Sequence, residues 1–234
     1  MAPAAWLLSQ ILPCWFLRRL FEGSPSLLVV VLIIVMAITA SFLYPEDPFR
    51  LVGKPLSKPL TNGFLLGSDS LGRDVASGIV HGAKTSLLIG FVATLVSVFI
   101  GIFFGAFAGY FGGLIDDILM RVTEIFQTIP SFIFAILLVA IMKPSISSIV
   151  IAIAVVSWPG VARLVRGEFL AVKNREFVQA CHTLGMNDLR IMLWEILPNC
   201  LSPIIVVGSL MVATAILIES GLAFLGLGDP NIMS

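Results

Sequence analysis

Residues 177–199 read FVQACHTLGMNDLRIMLWEILPN, a charged and punctuated passage set between two long apolar runs. From Arg163 to Glu195 there are nine charged residues: Arg163, Arg166, Glu168, Lys173, Arg175, Glu176, Asp188, Arg190 and Glu195. Each would cost about 2.5–3.5 kcal/mol near a bilayer centre, so burying the set would cost on the order of 20 kcal/mol. The passage therefore stands outside the hydrocarbon, and the runs flanking it are membrane spans. Within it Asn174 is placed as an N-cap, Phe177, Ala180, Cys181 and Leu184 share one helical face, and Gly185 sits where a helix ends in a left-handed residue. Asn187 or Asp188 can cap a second helix through Leu189, Met192, Leu193 and Ile196, until Pro198 turns the chain back toward the membrane. A short amphipathic helix held outside lipid lies in a partner's groove, folds onto its own bundle or rests in the lipid interface. The pattern alone leaves all three open.

The rest of the composition fits a chain dissolved in lipid. Of 234 residues 58% are hydrophobic and 12% charged, with a mean hydropathy of +1.05, far outside the soluble range. Fourteen basic residues balance fourteen acidic ones, so no basic field exists to attract nucleic acid. Cys14, Cys181 and Cys200 fall in or beside apolar stretches without metal-ligand spacing and read as small buried hydrophobes. Arg18 and Arg19 precede an apolar run too long for a signal peptide, which predicts a retained first span and a cytoplasmic N-terminus.

The expected organisation is a cytoplasmic segment 1–26, a first transmembrane helix 27–44, an outer loop 45–84 with an amphipathic helix, and a transmembrane core 85–234 that includes a cytoplasmic loop 163–199. The loop 45–84 holds four prolines and the turn-rich KPLSKPLTNG. Residues 85–115 carry no charge and form the second span, with Ala93, Ser97, Gly101, Gly105 and Gly109 on one face. Small residues at that spacing let another helix come close. GYFGG at 109–113 turns the chain into a third span ending near 142, and a fourth begins at 149, interrupted by Trp158, Pro159 and Gly160. Residues 201–218 form the fifth, which places Ser234 on the outer side. Asp117, Arg121 and Glu124 share a face of the third span, either as a self-paired stripe or as part of a transport path.

Several motifs in order resemble a known family. LGSDSLGRDVASGIVHGAKTSLLIG (66–90), GYFGGLIDDILMRVTEIFQTIP (109–130) and ESGLAFLGLG (219–228) are similar to the C-type subunit of permeases in ATP-binding-cassette importers of the dipeptide, oligopeptide and nickel branch. The opening passage resembles the EAA coupling loop of that family, with Gln179, Ala180, Cys181 and Gly185, then Glu195, Ile196, Leu197, Pro198 and Asn199 on the motif. Gln179 replaces the family's acidic residue, Cys181 its second alanine, and Glu195 a residue that is often histidine.

The resemblance implies an all-α, polytopic transmembrane bundle with five spans present and the family's sixth missing, in a bacterial or archaeal inner membrane. It implies that Phe177, Gln179, Ala180, Cys181, Leu184, Gly185 and Pro198 couple to ATPase subunits, and that Leu71, Gly72, Arg73 and Asp74 belong to an outer-side amphipathic element. The implied partners are two ATP-binding subunits, a homologous B-type permease subunit and an extracytoplasmic solute-binding protein. ATP and Mg would sit on the ATPases, with no cofactor or metal on this chain. The residues agree: the phosphate-cradling pattern G-x-x-x-x-G-K-[ST] fails at 78–85, where Ala83 occupies the second glycine position. His81 and His182 are isolated and no nucleophile–base spacing is visible, so no catalytic residue is assigned. Two other readings stand beside transport: a truncated, non-transporting scaffold, and an integral membrane enzyme, which the charge-free span at 85–115 disfavours.

Overall fold

The architecture comes from a computed structural model that describes residues 25–229 apart from 46, 47, 52, 62 and 63. The expected segment 1–26 thus lies almost wholly outside the described residues. The chain forms two units, Met1–Lys84 and Thr85–Ser234.

In the first unit, helix α1 (Pro25–Leu43) is apolar throughout and exposes most of its Val, Leu and Ile side chains, as a lipid-facing helix does. The loop after it contains no helix among its described residues up to 74. Asp69 organises its end by accepting the backbone N–H groups of Leu71 and Arg73, each at 2.8 Å. Helix α2 (Val75–Phe111) then begins directly, with Asp74 Oδ1 accepting the Ala76 N–H at 2.9 Å as its cap. The amphipathic helix expected in the outer loop is therefore the first turns of α2 itself. With a capping aspartate before it and no breaker after it, nothing separates those turns from the span.

In the second unit α2 continues to Phe111 and is followed by α3 (Gly113–Thr128), α4 (Ser131–Met142) and α5 (Ile146–Lys173). A short α6 (Glu176–Thr183) and a long α7 (Asp188–Phe224) complete it. By length and composition α2, α5 and α7 can each cross a bilayer, and α3 with α4, bent by 83°, is long and apolar enough for a fourth crossing if the pair acts as one span. The bend falls at Ile129, which is extended (φ −92°, ψ 132°) because the ring of Pro130 excludes the helical conformation from the residue before it.

Proline does not break the other helices. Helix α5 runs unbroken through Pro159, correcting the expected interruption, because Trp158, Pro159 and Val161 are buried among neighbouring helices that hold the backbone in place. It also continues to Lys173, so 163–173 belongs to a helix and the loop proper is shorter than 163–199. Nor does Pro198 restart the chain. Residues Ile191–Ile196 wind as a π-helix, in which the Leu197 N–H reaches the Met192 carbonyl, and α7 passes through the proline without a break. The wider turn accommodates a residue that has no N–H and crowds the preceding carbonyls.

The small-residue face of α2 lies on α5. A Cβ added at Gly105 would stand 2.7 Å from Val165 Cβ, and one at Gly109 2.6 Å from Phe169 Cβ; one at Gly101 would overlap Val161. Ala93 and Ser97 are buried on the same face, and the Ser97 hydroxyl bonds the Ala93 carbonyl at 2.8 Å. The pairings 101 with 161, 105 with 165 and 109 with 169 rise together, so α2 and α5 run parallel. Ser86 meets Glu219, Gly90 meets Ile216 and Gly208 meets Val98, so α7 runs against them. The C-terminal ends of α2 and α5 therefore lie at the same end of the bundle as the start of α7.

Candidate functional site

That end carries the charged passage. Asn174 (φ −90°, ψ 6°) closes the C-terminus of α5 instead of capping α6; the extended Arg175 takes the N-cap place, its carbonyl accepting the N–H groups of Val178 and Gln179. The continuation of α5 to Lys173 uses Asn174 before α6 can. Gly185 (φ 74°) ends α6, its N–H bonding the His182 carbonyl while the Met186 N–H bonds that of Cys181. These are the two bonds of a Schellman close, which satisfies carbonyls that the helix leaves free. A Cβ at Gly185 would meet nothing, so backbone conformation alone favours glycine there.

Helix α6 has two faces. Val178 is fully buried in a cluster with Phe169, Val172, Ile191, Ile196 and Cys200, and Cys181 and Met186 pack against its edge. Phe177, Gln179, Ala180 and Leu184 are exposed, Leu184 by 79%. The face expected to hold Phe177, Ala180, Cys181 and Leu184 together is thus divided, with Cys181 turned half inward. Val178 is the anchor that sequence spacing missed. In α7, Met192 and Ile196 point inward while Leu189, Leu193 and Trp194 are exposed, Trp194 by 74%. The second stripe is divided in the same way, and Pro198 is exposed.

Polar groups fasten this region to the bundle. Tyr110, near the end of α2, is buried, and its hydroxyl donates to Asp188 Oδ1 at 2.6 Å and lies 3.5 Å from His182 Nε2. Lys173 Nζ donates to the Tyr110 carbonyl and stands 5.7 Å from the tyrosine ring centre. Arg166 of α5 holds Asp116 of α3 through two parallel bonds. The Asp117, Arg121, Glu124 stripe is partly self-paired, since Arg121 reaches Glu124 at 3.1 Å across solvent.

A cavity of about 510 Å³ opens where the α3–α4 bend draws away from α5 and α7. Gln127, Ser131, Ser157 and Thr214 supply its polar groups, Phe126, Ile129, Val156 and Met211 much of its apolar wall, and no charged residue lines it. Neutral hydrogen-bonding groups on an apolar wall can hold a polar solute loosely enough to release it.

Residues 101–233 match the family described as "Binding-protein-dependent transport system inner membrane component". The chain belongs to this family. It is 40% identical over 209 residues to the Di/tripeptide transport system permease protein DppC of Pseudomonas aeruginosa (strain UCBPP-PA14), covering 87% of this chain and 69% of that protein. It is 40% identical over 203 residues to the Dipeptide transport system permease protein DppC of Bacillus subtilis (strain 168), covering 87% and 63%. To the Oligopeptide transport system permease protein OppC of Escherichia coli (strain K12) it is 40% identical over 213 residues, covering 89% and 70%. The chain spans about two thirds of the length of these curated relatives. A chain of the MetNI methionine ABC transporter in inward facing conformations shares the fold, with a TM-score of 0.58 at 17% identity over 66% of this chain and 77% of that one.

In this permease the residues expected to form an amphipathic element belong to the first unit. Leu71, Gly72, Arg73 and Asp74 form a tight turn and not a helix: Gly72 (φ 84°) donates its N–H to the Asp69 carbonyl, and Arg73 lies 5.1 Å from the Phe49 ring centre. The permease also buries Glu219 completely, with Ser86 Oγ donating to its Oε2 at 2.9 Å. Among the described residues no cluster of three His, Cys, Asp or Glu side chains forms a metal site.

Proposed function

We propose that this chain is a multi-pass permease subunit of an ATP-driven importer, seated in a bacterial or archaeal plasma membrane with its N-terminus cytoplasmic. It forms half of a pathway for dipeptides, oligopeptides or a related small solute such as a nickel chelate; the names of its relatives support peptides first. Two ATP-binding subunits, which carry ATP and Mg, a homologous B-type permease subunit and an extracytoplasmic solute-binding protein complete the assembly. The chain itself performs no catalytic step.

The observation that carries this reading is α6, pinned to the bundle by Val178 while Phe177, Ala180 and Leu184 stand outside it. An apolar helix face of that length fits a groove in a partner. When the ATPases close on ATP, the groove moves, α6 moves with it, and the Val178 cluster passes the displacement to α5 and α7 as rigid bodies. The cavity at the α3–α4 bend, bounded by those two helices, changes its opening as they rock.

Co-expression of the full set of subunits in proteoliposomes, with uptake of a labelled dipeptide driven by ATP, tests the reading. Uptake that requires this chain supports it. Assembly of the other subunits with full uptake in its absence overturns it.

A further inference from the structure

Resting on that coupling role, we infer that Tyr110 is a positioning residue that carries movement of the coupling region to α2, through its hydroxyl tie to Asp188 and His182. The buried core offers α6 a path to α5 and α7, because Val178 packs among residues of those two helices. The same core includes Ala106 and the Tyr110 ring of α2, and to this packing α2 adds a direct polar link. It is provided at one residue: the Tyr110 hydroxyl donates to Asp188 at the start of α7 and lies beside His182 of α6, while the Tyr110 carbonyl accepts Lys173 at the end of α5. Every element that frames the coupling passage thus converges on the last turn of α2.

The chemistry suits a transmitter. A carbonyl in the last turn of a helix lacks an intrahelical partner, and an ammonium group there satisfies it and opposes the helix dipole. A bond from a hydroxyl to a carboxylate is short and strong; here the tyrosine side is buried and the Asp188 side chain is 54% exposed. Phenylalanine would supply the same packing, so packing alone does not require the hydroxyl. Just beyond, Gly112 (φ 66°) and Gly113 (φ 54°) begin α3, so displacement of Tyr110 is delivered next to the helix that leads to the cavity bend.

The test uses the complete complex with both ATP-binding subunits and the homologous permease, and reads amide hydrogen exchange with and without ATP plus vanadate. In the wild type, nucleotide changes exchange in both 176–183 and 104–111. Tyr110→Phe and Asp188→Ala keep the change at 176–183 and lose it at 104–111, whereas Asp188→Asn, whose amide oxygen still accepts the hydroxyl, keeps both. A nucleotide response at 104–111 that survives Tyr110→Phe and Asp188→Ala overturns the inference and leaves the coupling role standing. No nucleotide response at 176–183 in the wild type overturns the coupling role and the inference together. Asp188→Asn behaving like Asp188→Ala would assign the effect to charge and refute the tie. If Tyr110→Phe fails to assemble, the two Asp188 variants decide the question alone.

Discussion

Arg166 of α5 grips Asp116 of α3 with its Nε on Oδ1 at 2.5 Å and its Nη2 on Oδ2 at 2.6 Å, joining helices fifty residues apart in sequence. Asp116 is 13% exposed and Arg166 35%, so the pair is neither fully screened nor fully desolvated. Asp116→Ala leaves a half-buried guanidinium without its partner and should lower stability by about 1–2 kcal/mol. Exchanging the two residues should recover part of the loss, as measured by denaturation of the purified chain in detergent.

The contact between α2 and α5 is more exacting. Gly105→Leu must push its side chain into Val165 and the Ala162 carbonyl and should cost about 3 kcal/mol or prevent assembly. Gly167 of α5 has nothing within 4 Å of an added Cβ, so Gly167→Ala should be neutral or stabilising by up to about 1 kcal/mol. Parallel thermal unfolding of the two variants checks the contrast.

Two neighbouring positions in α6 should separate folding from coupling. Val178→Ala removes buried methyl groups and should destabilise the protein by about 2 kcal/mol. Ala180→Trp places bulk on the exposed face, so it should leave unfolding unchanged while abolishing uptake. ATP hydrolysis and uptake measured together on the assembled complex distinguish the two effects.

Ser157 and Gly160 line the same side of the cavity. Ser157→Trp should fill much of its 510 Å³ and block uptake with the ATPase still assembled. Ser157→Ala, which removes one hydrogen-bonding group, should alter apparent affinity for the solute more than maximal rate.

The loop before α2 should respond to acid. The Arg73 N–H, with lesser help from those of Leu71 and Gly72, holds the Asp69 carboxyl below the usual carboxylate range. A carboxyl whose folded value is depressed contributes stability above its unfolded value of about 4, and that contribution is lost as pH falls below it. Limited proteolysis of residues 53–74 should accelerate below about pH 4 in the wild type. Asp69→Ala should be susceptible at every pH.

Much of this was legible in the sequence, and the failures share a cause. Periodicity and Gly185 located α6, because a short helix with a left-handed stop is written in local residues. Which residues of its stripe turn inward was not legible: Val178 and Cys181 face the bundle because α5 and the start of α7 cover that side, and neighbours are not a property of spacing. Asn174 had two helices to serve and was read for the wrong one. Pro159 and Pro198 act as breakers in water, but packing and a π-turn absorb them here. The Asp116–Arg166 and Tyr110–Asp188 links join residues too distant in sequence for any helical spacing to announce.

The most direct measurement is ATP-dependent crosslinking between Ala180→Cys and cysteines placed along the surface groove of the ATP-binding subunits, in a background where Cys181 is replaced by alanine. Crosslinks that form at groove positions and shift with ATP are the predicted result. An assembled complex in which Ala180→Cys crosslinks nowhere on the ATP-binding subunits, with or without ATP, would contradict the account.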